Sequence, residues 1–157
     1  EDGSRFEKLV PPALRYADYC FLNEIEAERT TGLPLRLGDR LQTDNFDPCL
    51  TALADMGVAR WVVIHTPELS CGLDIQSGEF RHEPSFRLPP GFAVSAVGAG
   101  DAYASGMLLG AYYGWDLRKA MHAAAAVAAC SLSGRGASDA IKPLREILEQ
   151  MEAYTNG

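Results

Sequence analysis

At 157 residues, 47% of them hydrophobic and 22% charged, the chain is long enough for one domain with a real core, which buries roughly two-thirds of its unfolded surface. Twenty-one acidic and 14 basic side chains leave a net charge of −7, evenly scattered, with no basic stripe for nucleic acid or an anionic membrane. Cys20, Cys49, Cys71 and Cys130 are too far apart for a Cys-x-x-Cys or Cys/His metal cluster and read as buried free thiols.

In chain order, Arg5 to Tyr16 reads as a helix weakened by Pro11-Pro12, and Tyr19 to Leu22 as a short buried strand. Glu24 to Thr30 follows as a helix that Gly32 stops, and the stretch Gly32 to Asp44 is broken up by glycine and proline. Asp47-Pro48 opens a helix through Met56, ended by Gly57. Trp61-Val62-Val63-Ile64-His65 is a continuous apolar strand of the kind covered on both faces. Short strands around Gly72 to Asp74 and Glu79 to His82 flank the turn Gln76-Ser77-Gly78. Phe92 to Ala96 leads into a helix opened by Gly98; Asp116 opens another that runs to about Ser131, and Lys142-Pro143 starts the last. Within the Gly98 helix, Gly106, Gly110 and Gly114 recur every four residues and predict one smooth face packed against a neighbouring helix.

Strands alternating with helices imply an α/β protein with a mostly parallel sheet. In such sheets ligands sit at the carboxyl ends of strands, where Asn23, His65 and the Gly98 to Asp101 segment all fall in this reading. No internal repeat or low-complexity tract is present. The longest apolar run, Ala102 to Trp115, is too short to span a bilayer, and no segment reads as a signal peptide, so a cytoplasmic location is expected.

The segment Ser95-Ala96-Val97-Gly98-Ala99-Gly100-Asp101 carries the most chemistry. Small residues open an apolar helix and place one carboxylate in its first turn, where unpaired N–H groups and the positive end of the dipole favour an anion. Asp101 is then either a base beside a phosphate site or a cap for its own helix. Other nucleotide and hydrolase signatures fail: a Rossmann fingerprint wants glycine where Tyr103 stands, and Gly-Lys-Ser/Thr and Gly-x-Ser-x-Gly are absent.

Gly98, Ala99, Gly100, Asp101 and Tyr103 resemble the second signature of the PfkB family of ribokinase-like carbohydrate and nucleoside kinases, Asp-Thr-x-Gly-Ala-Gly-Asp followed by a small residue and an aromatic. Ala17 to Ala27 resembles that family's strand ending in Asn-x-x-Glu, and Gly114-Trp115-Asp116 through Ser133-Gly134-Arg135-Gly136-Ala137 has the form of its tail. The resemblance implies a three-layer α/β/α ribokinase-like fold. It places residues 1–157 as the nucleotide-binding C-terminal half of a kinase about twice the length of a typical ~150-residue domain. The sugar-binding half and the lid are not visible in it, so this portion alone is expected to be inactive.

The same resemblance implies ATP-dependent phosphoryl transfer to a hydroxyl of a sugar or related small alcohol. Asp101 would be the base, and the N–H groups of Ala99, Gly100 and Asp101 an anion hole. Asn23 and Glu26 would organise Mg²⁺ through its waters. His65, Gly98 and Gly100 would meet the phosphates, and His122, Gly134 and Gly136 the adenine. Dimerisation would run through the lid. Several positions depart from the family pattern: Ser95 and Ala96 replace Asp and Thr, so monovalent-cation dependence is not expected. His65-Thr66-Pro67-Glu68-Leu69-Ser70 replaces Thr-x-Gly-x-x-Gly, so the backbone near the phosphates follows another path. Those departures also leave open a non-catalytic nucleotide-binding or regulatory domain built on the same fold, or a purely structural interaction domain.

Overall fold

A computed structural model describes residues 6–154, which divide into two compact units between His82 and Glu83. In the first, α1 (Phe6–Leu14) precedes β1 (Tyr19–Asn23) and α2 (Glu24–Thr31). The helix expected from Arg5 ends two residues early, at Leu14, and Arg5 itself lies outside the described residues. Gly32, left-handed at φ 74°, terminates α2 as expected, its N–H donating to the Glu28 carbonyl. The stretch after it, broken up by glycine and proline, folds into a small antiparallel hairpin, β2 (Arg36–Leu37) and β3 (Arg40–Leu41). Two-residue strands are too short to show an alternation, so only the turn at Gly38, φ 59°, marks them.

A 3-10 turn, Thr43–Asn45, leads into α3 (Phe46–Asp55), then β4 (Trp61–His65), β5 (Leu69–Asp74) and β6 (Glu79–Pro84). The sheet order is β1-β4-β5-β6. β1 and β4 run parallel, with Tyr19 opposite Trp61 and Asn23 opposite His65. β4 and β5 run antiparallel, because the three residues between them cannot make the crossover that parallel pairing needs. The portion of sheet present is therefore mixed. Trp61, Val62, Val63 and Ile64 are all buried, as their unbroken apolar run predicts.

α3 closes the core of this unit with Phe46, Leu50 and Leu53, packed with Ala27, Leu35, Val62 and Ile64. Burying these three side chains contributes on the order of 1.5–3 kcal/mol each. The edge strand β6 is pinned by His82, whose Nε2 lies 2.7 Å from Asp47 Oδ1 on α3 and whose Nδ1 lies 3.6 Å from Cys71 Sγ on β5.

The second unit holds α4 (Ala99–Tyr112), α5 (Leu117–Ser131) and α6 (Leu144–Glu152). Two of the three spaced glycines make the predicted smooth face. A Cβ on Gly106 would stand 2.5 Å from Ala124 Cα, and one on Gly110 would stand 2.5 Å from Ala120 Cβ, so α4 and α5 pack antiparallel almost backbone to backbone. Gly114 does not belong to that face. Its φ of 65° and the open space around it make it the turn between the helices, after which the Asp116 carboxylate caps α5 by accepting from the Lys119 N–H. α6 completes the unit with Ile147 and Met151 against Ala126, Val127 and Cys130.

Candidate functional site

The candidate residues divide between the units. Asn23, Glu26 and His65 belong to the first, and Gly98 to Asp101, His122, Gly134 and Gly136 to the second.

At the carboxyl end of β1, Asn23 and Glu26 form a reciprocal capping box. The Glu26 N–H donates to Asn23 Oδ1 at 2.9 Å, and the Asn23 N–H donates to Glu26 Oε2 at 3.0 Å. The box uses Asn23 Oδ1 and Glu26 Oε2 and leaves Glu26 Oε1 outside it, which fits a Mg²⁺ that keeps most of its water and takes one or two protein oxygens. Among the described residues no three His, Cys, Asp or Glu side chains gather into a metal cage. His65 stands beside Asn23 across the parallel pair, half-buried. Burial pushes its pKa below the ordinary imidazole value, against the opposing pull of Glu26 and Glu24, so the charged ring is disfavoured at neutral pH.

The loop after His65 is closed by its own side chains. The buried Thr66 hydroxyl donates to the Leu69 carbonyl at 3.0 Å and accepts from the N–H groups of Glu68 at 3.1 Å and Leu69 at 3.0 Å. Arg36 then holds Glu68 in a fork, Nη2 to Oε2 at 2.8 Å and both Nη atoms to Oε1 at 3.0 Å, while its Nε reaches Glu24 at 3.3 Å. The hydrogen bonds from Arg36 hold the Glu68 carboxyl below the usual carboxylate range. Neither Arg36 nor Glu68 was singled out in the sequence: the two are 32 residues apart and no motif links them.

In the second unit, Gly98 takes φ 79° and ψ 2° at the cap of α4, and a Cβ there would lie 2.4 Å from Ala137 Cβ. Glycine is thus required twice, by the left-handed backbone and by the close approach of Ala137. Ala137 stands in the sequence only as part of the Ser133 to Ala137 tail; its contact with Gly98, 39 positions away, is visible only in the fold. The loop holding it is fixed by Asp139, which accepts from the Gly136 N–H at 2.8 Å, and the segment before α4 is tied to the end of α5 by Val94 and Ser95 N–H donors to the Leu132 carbonyl at 2.7 and 3.2 Å.

The first intrahelical bond of α4 is Ala102 N–H to the Gly98 carbonyl at 2.8 Å. Ala99 turns its N–H back on the Ala96 carbonyl at 3.2 Å, so Gly100 and Asp101 supply the first-turn donors that the helix cannot satisfy from within. Asp101 is exposed, while the next two residues, Ala102 and Tyr103, are buried. His122 is exposed midway along α5, nine residues before its end and so about 14 Å along the axis from the loop of Gly134 and Gly136. Its ring packs against Phe86 at 5.3 Å.

Residues 2–143 match the pfkB family carbohydrate kinase. The chain belongs to that family. It is 38% identical over 68 residues to the 5-dehydro-2-deoxygluconokinase of Geobacillus kaustophilus, a stretch covering 43% of this chain and 20% of that enzyme. Its fold matches Arabidopsis thaliana ribokinase complexed with ribose and ATP at a TM-score of 0.73 and 21% identity, over 88% of this chain and 42% of that one. A putative ribokinase II from E. coli in complex with ATP and Mg²⁺ matches at 0.72 and 19%, over 94% and 42%. The expected ribokinase-like fold class thus holds, and this PfkB chain spans less than half the length of those structures. Among the described residues no helix is long and apolar enough to cross a membrane.

Proposed function

We propose that this chain is the nucleotide-binding and phosphoryl-transferring portion of an ATP-dependent kinase whose acceptor is a hydroxyl of a sugar or related small alcohol. The observation that carries the reading is the start of α4. Gly98, left-handed and packed on Ala137, aims the first turn outward, so that the Gly100 and Asp101 N–H groups and the exposed Asp101 carboxylate share one helix end. The cap position of α4 is Gly98, which has no side chain, whereas α2 and α5 are capped by the side chains of Asn23 and Asp116; Asp101 stands three positions beyond the cap, in the first turn.

Asp101 takes the proton from the acceptor hydroxyl as its oxygen attacks the γ-phosphoryl, and the first-turn N–H groups of α4 meet the charge that spreads over the transferring oxygens. Ala99 contributes to that hole once a phosphoryl oxygen replaces the Ala96 carbonyl as its partner. Asn23 and Glu26, preset by their capping box, would hold through its waters a magnesium ion, which would neutralise charge on the nucleotide phosphates. His65, at the end of β4 opposite Asn23, meets the phosphates as a ring whose charged form burial disfavours. Exposed His122, packed on the half-buried Phe86, offers a stacking surface to adenine, and the turn at Gly134 and Gly136 lies too far along the α5 axis to share it. A place for a monovalent cation is not part of the proposal, since Ser95 accepts from the Val97 N–H where the family pattern has Asp.

The test is Asp101→Asn in the complete polypeptide. Transfer should fall by about 10²-fold or more, the usual scale of a lost general base, while Mg·ATP affinity stays within a few-fold. Turnover near the wild-type rate removes Asp101 from the chemistry, and loss of ATP binding makes it a structural or binding residue instead.

A further inference from the structure

Where the pattern that this segment resembles has two glycines, this chain has Pro67 in the turn after β4 and Ser70 in β5, opposite His65. A loop without those glycines needs another means of keeping one shape at the strand ends. The structure supplies one in Arg36. Its planar fork grips Glu68, three residues past His65, and its Nε reaches Glu24, the residue after Asn23. Asn23 and His65 are register partners at the ends of β1 and β4. One guanidinium therefore ties together the two backbone segments that leave those strands.

The base from which it reaches is itself fixed. Leu35, fully buried, and Arg36 both donate their backbone N–H groups to Glu28 Oε1, at 2.5 and 2.7 Å. An isolated exposed ion pair contributes little; a bidentate fork on an anchored backbone, shared by two carboxylates, is the arrangement in which geometry is retained. The charge balance points the same way. Two carboxylates on one guanidinium leave a net negative charge, and removing Arg36 would leave both Glu24 and Glu68 uncompensated where a polyphosphate is to approach.

We propose that Arg36 is a positioning residue for the phosphate end of the nucleotide, locking residues 66–69 to the start of α2 in place of those glycines. The role in binding rests on the nucleotide reading above; the lock does not.

The experiment compares Arg36→Met and Arg36→Lys with the wild type in the complete polypeptide, reading amide hydrogen exchange at Glu68 and Leu69, Mg·ATP affinity and kcat. Arg36→Met should speed exchange at the two amides by about tenfold, because opening of the Thr66 turn becomes easier. It should also weaken Mg·ATP by about tenfold with kcat within a few-fold, and Arg36→Lys, which keeps the charge but loses the fork, should fall between. Unchanged exchange in Arg36→Met overturns the lock whatever ATP does. Faster exchange with unchanged Mg·ATP affinity overturns the positioning role. A wild type that binds no Mg·ATP overturns the nucleotide reading and the positioning role together, and the exchange data still decide the lock. If Arg36→Met does not fold, Glu68→Gln replaces it, with faster exchange at Leu69 expected and unchanged exchange counting against the lock.

Discussion

The two ends that carry candidate chemistry are organised by opposite means. At the end of β1, long polar side chains hold one another: Asn23 with Glu26, Thr66 with its own loop, Arg36 with Glu24 and Glu68. At the start of α4, order comes from the lack of side chains, with Gly98 against Ala137 and Gly106 and Gly110 against the alanines of α5. The first design is a sum of modest hydrogen bonds and loses stability gradually when one is removed. The second is steric, and a single methyl group meets backbone.

That contrast orders the expected effects. Gly98→Ala adds a Cβ 2.4 Å from Ala137 Cβ to a backbone at φ 79°, and unfolding should become easier by about 3 kcal/mol or more, read as a shift in urea midpoint for the second unit. Gly106→Ala keeps an ordinary helical backbone but places its Cβ 2.5 Å from Ala124 Cα, and should cost about 1–3 kcal/mol. Equal, negligible losses at both glycines would break the steric account. In the first unit, Asn23→Ala removes one half of the capping box and should cost only about 1 kcal/mol by the same measurement.

Thiols sharpen the comparison, because Cys20, Cys49 and Cys71 lie in the first unit and Cys130 lies in the second, all buried. Burial pushes Cys20 up to about 11 and Cys71 up to about 12, from an ordinary 9.0. Folded thiols that resist ionisation favour the native state up to pH 9 and lose that advantage above it, as the unfolded chain gives up protons that the folded one keeps. The first unit should therefore lose roughly 1 kcal/mol per thiol by pH 10, and Cys71→Val should flatten the decline. The smallest effect is kinetic: alkylation of Cys130 should appear at a different urea concentration from that of the other three if the units open separately, and at the same concentration if they unfold as one.

Much of this architecture was legible because its signals are local. Gly32 and Gly57 as helix stops, Asp116 as a cap and the four-residue apolar run of β4 each follow from propensities within a few positions. The small residues of Gly98 to Asp101 likewise announced a helix start that needs room. The hairpin at Arg36 to Leu41 gave too short a pattern to read, and the disfavoured charge of His65 depends on burial that no neighbouring residue reveals.

By itself, then, the order of residues determined the alternation of strands and helices, the turn positions and the exposed carboxylate in the first turn of α4, since each depends on backbone preference and spacing. Only the tertiary structure decided that Ala137 is what forbids a side chain at Gly98, that Gly114 turns while Gly106 and Gly110 pack, and that Arg36 reaches Glu68 across 32 residues. The physical reason is range: helix caps and strand periods act over a few bonds, whereas contacts and desolvation depend on which distant segments the fold brings within a few ångströms.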